Sequence, residues 1–433
     1  MEWIVRVLLE NVRSFCGAHS IPVRPLTLLV GENSTGKSTF LAMLAHVSTY
    51  RFTSLRPSFN EEPFKLGTYD SIATYKGGRF GRAHTFSVGI LGEKRRRVMS
   101  TYASYKGQPQ LARLDAAGGH GRVRLAIDDK TLAAELKIYP SGPEPDSIRF
   151  SFKGRAEVES EAPIWYLLRR LVFEQPAAKL SRKLARLVDE VLFESLRYSG
   201  TGERSVLALA PVRTRPKRTY DVISDEFSPE GDHIPVLLAR MFKGDDVQLK
   251  QRLVEALDEF GAQSALFKRI GVKPLGKRPS DPFQILISMV GPAANLLDVG
   301  YGVSQALPIV VQTILAQQQS RPFQLLLQQP EVHLHPRGQA ALGSFFTRLV
   351  AKGKMEFVVE THSDYLVDRV RQEVARGAIS NQKVLILFFD RKGMETTVHE
   401  IYLDKRGNVL KAPNSYRQFF LEEETNLLTR AGS

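Results

Sequence analysis

The chain has one cysteine, Cys16, in 433 residues, which excludes an intramolecular disulfide and a zinc cluster built on cysteines. The longest apolar runs, such as VLILFF from Val384, are strand-sized, so no membrane-spanning helix is expected. The first residues lack the charged-then-apolar build of a secretory signal, and a cytoplasmic location is the expectation. Acids are in deficit, with 46 Asp and Glu against 60 Lys and Arg, a formal charge of +14. Such a field favours nucleic acid or an acidic protein partner and does not choose between them. There is no internal repeat or low-complexity tract, and the length suits one large domain with an insertion, or two domains.

What is present is concentrated near the start. Gly31 to Thr39 reads GENSTGKST, a complete G-x-x-x-x-G-K-[ST] loop between an apolar strand, Leu26 to Val30, and a helical stretch. Its glycines permit the tight turn that points successive N–H groups at a triphosphate, and the helix starting near Lys37 adds the positive end of its dipole. In this pattern Lys37 neutralises the β- and γ-phosphates and Ser38 holds Mg²⁺. The helix buries one face through Phe40, Leu41, Met43 and Leu44.

Before the loop, Trp3 to Leu9 reads as a strand, followed by the turn Asn11 to Phe15 and a second strand. Beyond the helix, Arg51 to Asp70 reads as loop, and strands resume at Thr85 to Leu91. Four cations, Lys94 to Arg97, fall at a hairpin tip. Pro163 to Tyr198 has helical periodicity with Arg169, Arg170, Lys179, Arg182, Lys183 and Arg186 interleaved, which reads as two amphipathic helices sharing a basic face. Arg213, Arg215, Lys217 and Arg218 form a second basic cluster in a segment whose prolines forbid a regular helix. Either cluster suits phosphate-backbone contact, or simply keeps an exposed arm soluble.

The last third alternates strand and helix patterns. QLLLQQ from Gln324 is a buried-strand run, a helix follows Pro336, and EFVVETHS from Glu356 and VLILFFD from Val384 are further strands, which predicts a largely parallel sheet. The motifs that bear chemistry are DVGYGVSQALPIV from Asp298, Gln328-Gln329-Pro330-Glu331 continuing to His333, His335 and Pro336, and Glu360-Thr361-His362-Ser363. Without a supporting carboxylate or cysteine cluster, His333, His335 and His362 do not read as a metal site.

Phosphate loop, long insertion, signature, Pro-Glu strand end and strand-ending His is a linear order that resembles ABC-type AAA-15/AAA-21 ATPases, related to the OLD, RecF and SMC heads. The DVGxGVSQ and PExHLHP forms are similar to the ATPase subunits of antiphage defence systems such as Septu. The resemblance implies an α/β fold, an ABC-type P-loop ATPase head split in sequence by a helical arm insertion. Its parts are an N-terminal lobe over 1–98, inserted strands and a basic arm over 99–280, and a C-terminal lobe over 281–433. It implies ATP and Mg²⁺ as ligands. Arg13, Asn33, Ser34, Thr35, Gly36, Lys37, Ser38 and Thr39 would meet the nucleotide, while Gly302, Ser304 and Gln305 would complete the site of a second subunit. Gln328, Gln329, Glu331 and His362 take the catalytic positions, with Ser38 and Gln328 at the metal, and Glu331 is expected to point toward the dimer turn.

Partners implied are a second copy in a head-to-head ATP sandwich, extending to a higher oligomer, and a separate nuclease or other effector, since no nuclease constellation lies in this chain. Nucleic acid is a further partner through the basic arm, and no membrane is implied. The family places an acid where this chain has Gln328. A glutamine cannot accept a proton or neutralise Mg²⁺, so slow hydrolysis follows. Gln328 then reads as a natural pseudoenzyme-like head or as an introduced replacement that traps bound ATP, and the intact remainder of the site favours the second. A RecF- or SMC-like clamp acting directly on DNA is the alternative function, and the signature and insertion disfavour a transporter motor.

Overall fold

The computed structural model describes residues 5–78, 81–92, 96–128, 131–139, 148–155, 164, 168, 182–192, 205–221, 225–278, 280–318, 321–353 and 355–416. Lys94, Arg95, Arg169, Arg170 and Lys179, and the end of the chain from 417, lie outside them. The chain forms two compact units. Unit 1 comprises 1–23, 32–204 and 389–398, and unit 2 comprises 24–31, 205–388 and 399–433.

In unit 1, strands β1 (Val5–Val12) and β2 (Phe15–Val23) form a hairpin whose turn holds Asn11 and Arg13 at positive φ. They continue into β4 (Thr85–Leu91), β5 (Arg97–Tyr105), β6 (Gln108–Gly118), β7 (Gly121–Asp128), β8 (Thr131–Ile138) and β9 (Ile148–Arg155). The result is an eight-stranded sheet in the order β2-β1-β4-β5-β6-β7-β8-β9, antiparallel throughout. Alternation along β7 and β8 buries Val123, Leu125, Leu132 and Leu136 and turns Arg122, Arg124 and Glu135 to the other face. Helix α1 (Lys37–Val47) is buried through Phe40, Leu41, Met43 and Leu44, as its spacing predicts, and α2 (Tyr69–Ile72) is a single turn. On α1, His46 stacks on Phe59 with ring centroids 4.1 Å apart, and burial pushes its pKa down to about 3, so it serves the core as a neutral ring. Helix α3 (Arg182–Leu192) carries Val191 against Gly121 of β7, and its Arg186 pairs with Glu190 one turn on.

Unit 2 is built on a sheet in the order β10-β14-β15-β3-β16-β17-β18. Its members are β3 (Leu26–Gly31), β10 (Ser205–Leu209), β14 (Phe323–Gln328), β15 (Met355–Glu360), β16 (Val384–Lys392), β17 (Glu395–Leu403) and β18 (Val409–Leu410), with 389–398 of the β16–β17 hairpin counted in unit 1. β10, β14, β15 and β3 run parallel, so Leu209, Gln328, Glu360 and Gly31 end at one edge. Strands covered on both faces read as continuous apolar runs, and all six residues of β14 are buried. One face packs Leu26, Leu28, Leu325, Leu327, Phe357 and Val359 into the main core. Each fully buried leucine there contributes about 1.5–3 kcal/mol over an exposed one.

Helices α4 (Ile234–Lys243), α5 (Val247–Ser264), α6 (Tyr301–Ala316), α7 (Pro336–Ala351) and α8 (Asp364–Ala375) add to this core, beside a small antiparallel sheet of β11 (Arg269–Pro274), β12 (Phe283–Ser288) and β13 (Ala294–Asn295). The expected strands of the last third are thus present at 323–328, 355–360 and 384–392, the first two within the parallel part of the sheet. Among the described residues no helix is long and apolar enough to cross a membrane.

Candidate nucleotide-binding site

The phosphate loop follows β3 in the chain and ends in α1. Three residues take positive φ: Gly31 at 136°, Ser34 at 61° and Gly36 at 102°. Only glycine fits at 36, because a Cβ there would lie 3.1 Å from the Phe15 ring on strained backbone. The loop's carbonyl oxygens are taken by protein donors. Glu32 O accepts from Lys37 Nζ at 2.5 Å and from Thr35 Oγ1 at 2.8 Å. Ser34 O accepts from Arg391 Nη1 at 2.8 Å, and Thr35 O from Thr396 Oγ1 at 2.8 Å. These bonds hold the loop at the N-terminus of α1, the end of a helix that carries the positive pole of its dipole and favours an anion.

Asn33, Ser34 and Ser38 are exposed, while Thr35, Lys37 and Thr39 are buried. Arg13 reaches Thr39 Oγ1 at 3.4 Å, Ser71 O at 3.1 Å and Leu66 O at 3.1 Å, so the hairpin turn and the start of α1 are brought together. Burial lowers the Arg13 pKa.

In unit 2 the edge of the parallel sheet carries the other predicted residues. Gln328 is buried and stands in register with Glu360 of β15. Gln329 turns the chain at φ 43°, and its N–H donates to Glu360 O at 2.8 Å. Glu331, expected to point toward the dimer turn, is 7 % exposed, and its Oε1 accepts the His362 N–H at 2.7 Å. The reason is local: the turn 329–334 closes through Val332 N to Gln329 O and Leu334 N to Glu331 O, which folds the side chain back over the end of β15. The His362 imidazole itself is exposed.

His333, at φ 65°, meets the Tyr301 ring edge-on at 5.0 Å, and His335 caps α7 by accepting the Arg337 N–H. The start of α6 therefore packs on this turn. A Cβ on Gly302 would come within 3.0 Å of His333 O. Ser304 bonds back to Tyr301 O at 2.7 Å, and Gln305 is buried with its Nε2 lacking a partner among the described residues.

Arg213 also departs from its reading as part of a surface basic cluster. It is 1 % exposed, and none of its three guanidinium nitrogens has a partner among the described residues. Arg218 is held by Asp298 at 2.6 and 3.0 Å, leaving Arg215 and Lys217 exposed. Burial pulls the Arg213 pKa down to about 10 against the opposing pull of Glu331, so it stays cationic at neutral pH. Burial raises the Glu331 pKa, opposed by the His362 N–H, Thr361 and Arg213. Charge composition marks a cluster but not which member is drawn inside, and no pattern in 213–218 signals it.

Among the described residues no group of three His, Cys, Asp or Glu is arranged to hold a metal. The predicted donors for Mg²⁺ are the Ser38 hydroxyl and the Gln328 amide, both neutral, a poor match to an ion usually held by carboxylates and phosphates. They fit Mg²⁺ only as an ion carried in by the triphosphate.

Residues 184–367 match the family described as AAA ATPase domain. The match takes in the signature, the Gln328 turn and His362, and covers less than half of the chain. No curated protein matches. Among solved structures, the SMC head domain from Thermotoga maritima is 12 % identical over 92 % of this chain and 99 % of that one, with a TM-score of 0.40. An SMC head bound to the C-winged helix domain of ScpA is 13 % identical over 93 % and 99 %, at 0.44. The Smc head domain with an extended coiled coil bound to the C-terminal domain of ScpA, from Pyrococcus furiosus, is 11 % identical over 100 % of both, at 0.40. Likenesses at that level transfer no function.

Proposed function

We propose that this chain is an ATP-binding and ATP-hydrolysing head of the ABC type. Two copies clamp ATP between them, and the clamp gates or scaffolds a separate nuclease or other effector in prokaryotic antiphage defence. The carrying observation is the 31–39 loop, with its carbonyls held by Lys37, Thr35, Arg391 and Thr396 ahead of a helix N-terminus. Lys37 leaves Glu32 O for the β- and γ-phosphates, Ser38 faces the ion that accompanies them, and Arg13 braces the loop through Thr39. Gly302, Ser304 and Gln305 read the γ-phosphate held by the second copy, and His362 completes that contact. The defence role rests on the resemblance of the signature and PExHLHP motifs.

Gln328 sets the rate in this proposal. Restoring a carboxylate by Gln328→Glu adds a charged metal ligand, and ATP turnover is expected to rise at least about tenfold with a lower Mg²⁺ requirement. Phosphate release by both forms across a Mg²⁺ titration is the test, and equal rates at every concentration would remove Gln328 from the metal.

A second reading, a DNA clamp of the RecF or SMC kind, is favoured by one feature of unit 1. The outward face of β6 to β9 carries Arg113, Arg122, Arg124, Lys137 and Arg149 against Asp115 and Glu135. ATP-dependent DNA binding by this chain alone, falling steeply with salt, would select that reading.

A further inference from the structure

The phosphate loop is held by a stretch of chain that lies outside every motif named above. Residues 389–398, the tip of the β16–β17 hairpin, belong to unit 1 together with 32–39, so the contacts between them lie within one compact unit. Arg391 bridges two carbonyls. Its Nε donates to Gly393 O at 3.0 Å, inside the hairpin, and its Nη1 donates to Ser34 O at 2.8 Å. Thr396, fully buried, donates its hydroxyl to Thr35 O at 2.8 Å and its N–H to Ser14 O at 2.8 Å, which ties the same hairpin to the turn after β1.

The planarity of the peptide converts these bonds into a direction. In a trans peptide the C=O and the N–H that follows it point opposite ways. Ser34 O, drawn to Arg391, therefore turns the Thr35 N–H away from the hairpin, and Thr35 O, drawn to Thr396, does the same to the Gly36 N–H. Ser34 itself sits at φ 61°, the left-handed region, which serine enters with strain and keeps only where its surroundings hold it there. Arg391 does that holding from outside the loop. Its guanidinium is already oriented by Gly393 O, so a charge-assisted bond to Ser34 O forms with few rotamers to lose.

We propose that Arg391 is a positioning residue for triphosphate binding, acting through Ser34 O, a role that rests on the ATPase reading above. With the hairpin in place the loop meets the phosphates in the conformation that binds them. Without it, part of the binding free energy is consumed in ordering the loop.

The test uses the full chain. NMR relaxation of the Thr35 and Gly36 amides in the nucleotide-free protein reads the order of the loop, mant-ATP titration reads binding, and thermal unfolding reads the fold. Arg391 is exposed, so Arg391→Met is expected to keep the melting temperature within about 2 °C of the unmodified chain. Its Thr35 and Gly36 order parameters are expected to fall from about 0.85 to below about 0.6, and its mant-ATP binding to weaken about tenfold. Arg391→Lys, which keeps a cationic donor for Ser34 O, is expected to restore the order of both amides and to bind mant-ATP with intermediate affinity. Unchanged order parameters beside weakened binding overturn the role and make Arg391 a direct contact of the nucleotide. A fall in order with unchanged binding overturns it too, as does a melting temperature lowered by more than about 5 °C, which would make the bond a support of the fold at large. Failure of the unmodified chain to bind mant-ATP removes the ATPase reading and the role together, whereas normal binding by the unmodified chain with either overturning result in Arg391→Met removes the role alone.

Discussion

Lys37→Ala is expected to weaken ATP binding at least about 100-fold, the equivalent of about 2.7 kcal/mol. Lys37 is 3 % exposed, and its ammonium is held at 2.5 Å from Glu32 O, inside the loop it serves. A lysine sequestered in this way has few rotamers to lose when phosphate arrives, so most of its charge-assisted bonding appears as affinity. The alanine also leaves Glu32 O short of one donor, which loosens the loop and adds to the loss. Titration with mant-ATP at fixed ionic strength measures it. A dissociation constant within threefold of the unmodified chain would mean that the loop is a structural turn.

Arg213→Met is expected to destabilise the chain by about 3–5 kcal/mol, because it strips the counter-charge from a buried carboxylate. Glu331 has one oxygen on His362 N–H and the other, Oε2, buried with no partner among the described residues. Adding Glu331→Gln should return at least half of the loss, since no uncompensated charge then remains, and unfolding of the four forms of this double-mutant cycle reads that coupling.

The pH dependence has a definite sign. A carboxyl whose folded pKa is raised contributes stability that is complete below its unfolded value and is lost as pH rises through the folded value. Without Arg213 the folded value rises further, so the stability of Arg213→Met should fall more steeply from pH 5 to pH 8 than that of the unmodified chain. The extra slope should vanish with Glu331→Gln. A loss that is independent of pH and unchanged by Glu331→Gln would mean that Arg213 acts by bulk alone.

Legibility in the sequence followed locality. β14 and β15 were readable because a strand covered on both faces is an unbroken apolar run, and α7 because Pro336 and the spacing of Ala341, Leu342, Phe345 and Phe346 mark one turn after another. The loop at 31–39 was readable because its chemistry depends on adjacent residues. That β15 lies between β14 and β3 is a neighbour relation that no local pattern carries. Arg213 was misplaced for the same reason. A turn that closes back on another strand and a cation drawn under it are set by tertiary contacts, while composition records only a proline, an acid and a run of basic residues.

The central claim is that ATP joins two copies of this chain, and the mass of the purified protein by light scattering tests it most directly. With ATP and Mg²⁺ the mass is expected to double, and to stay at that of one copy without nucleotide or in Lys37→Ala. A single-copy mass at saturating ATP, with mant-ATP binding intact, would contradict the clamp.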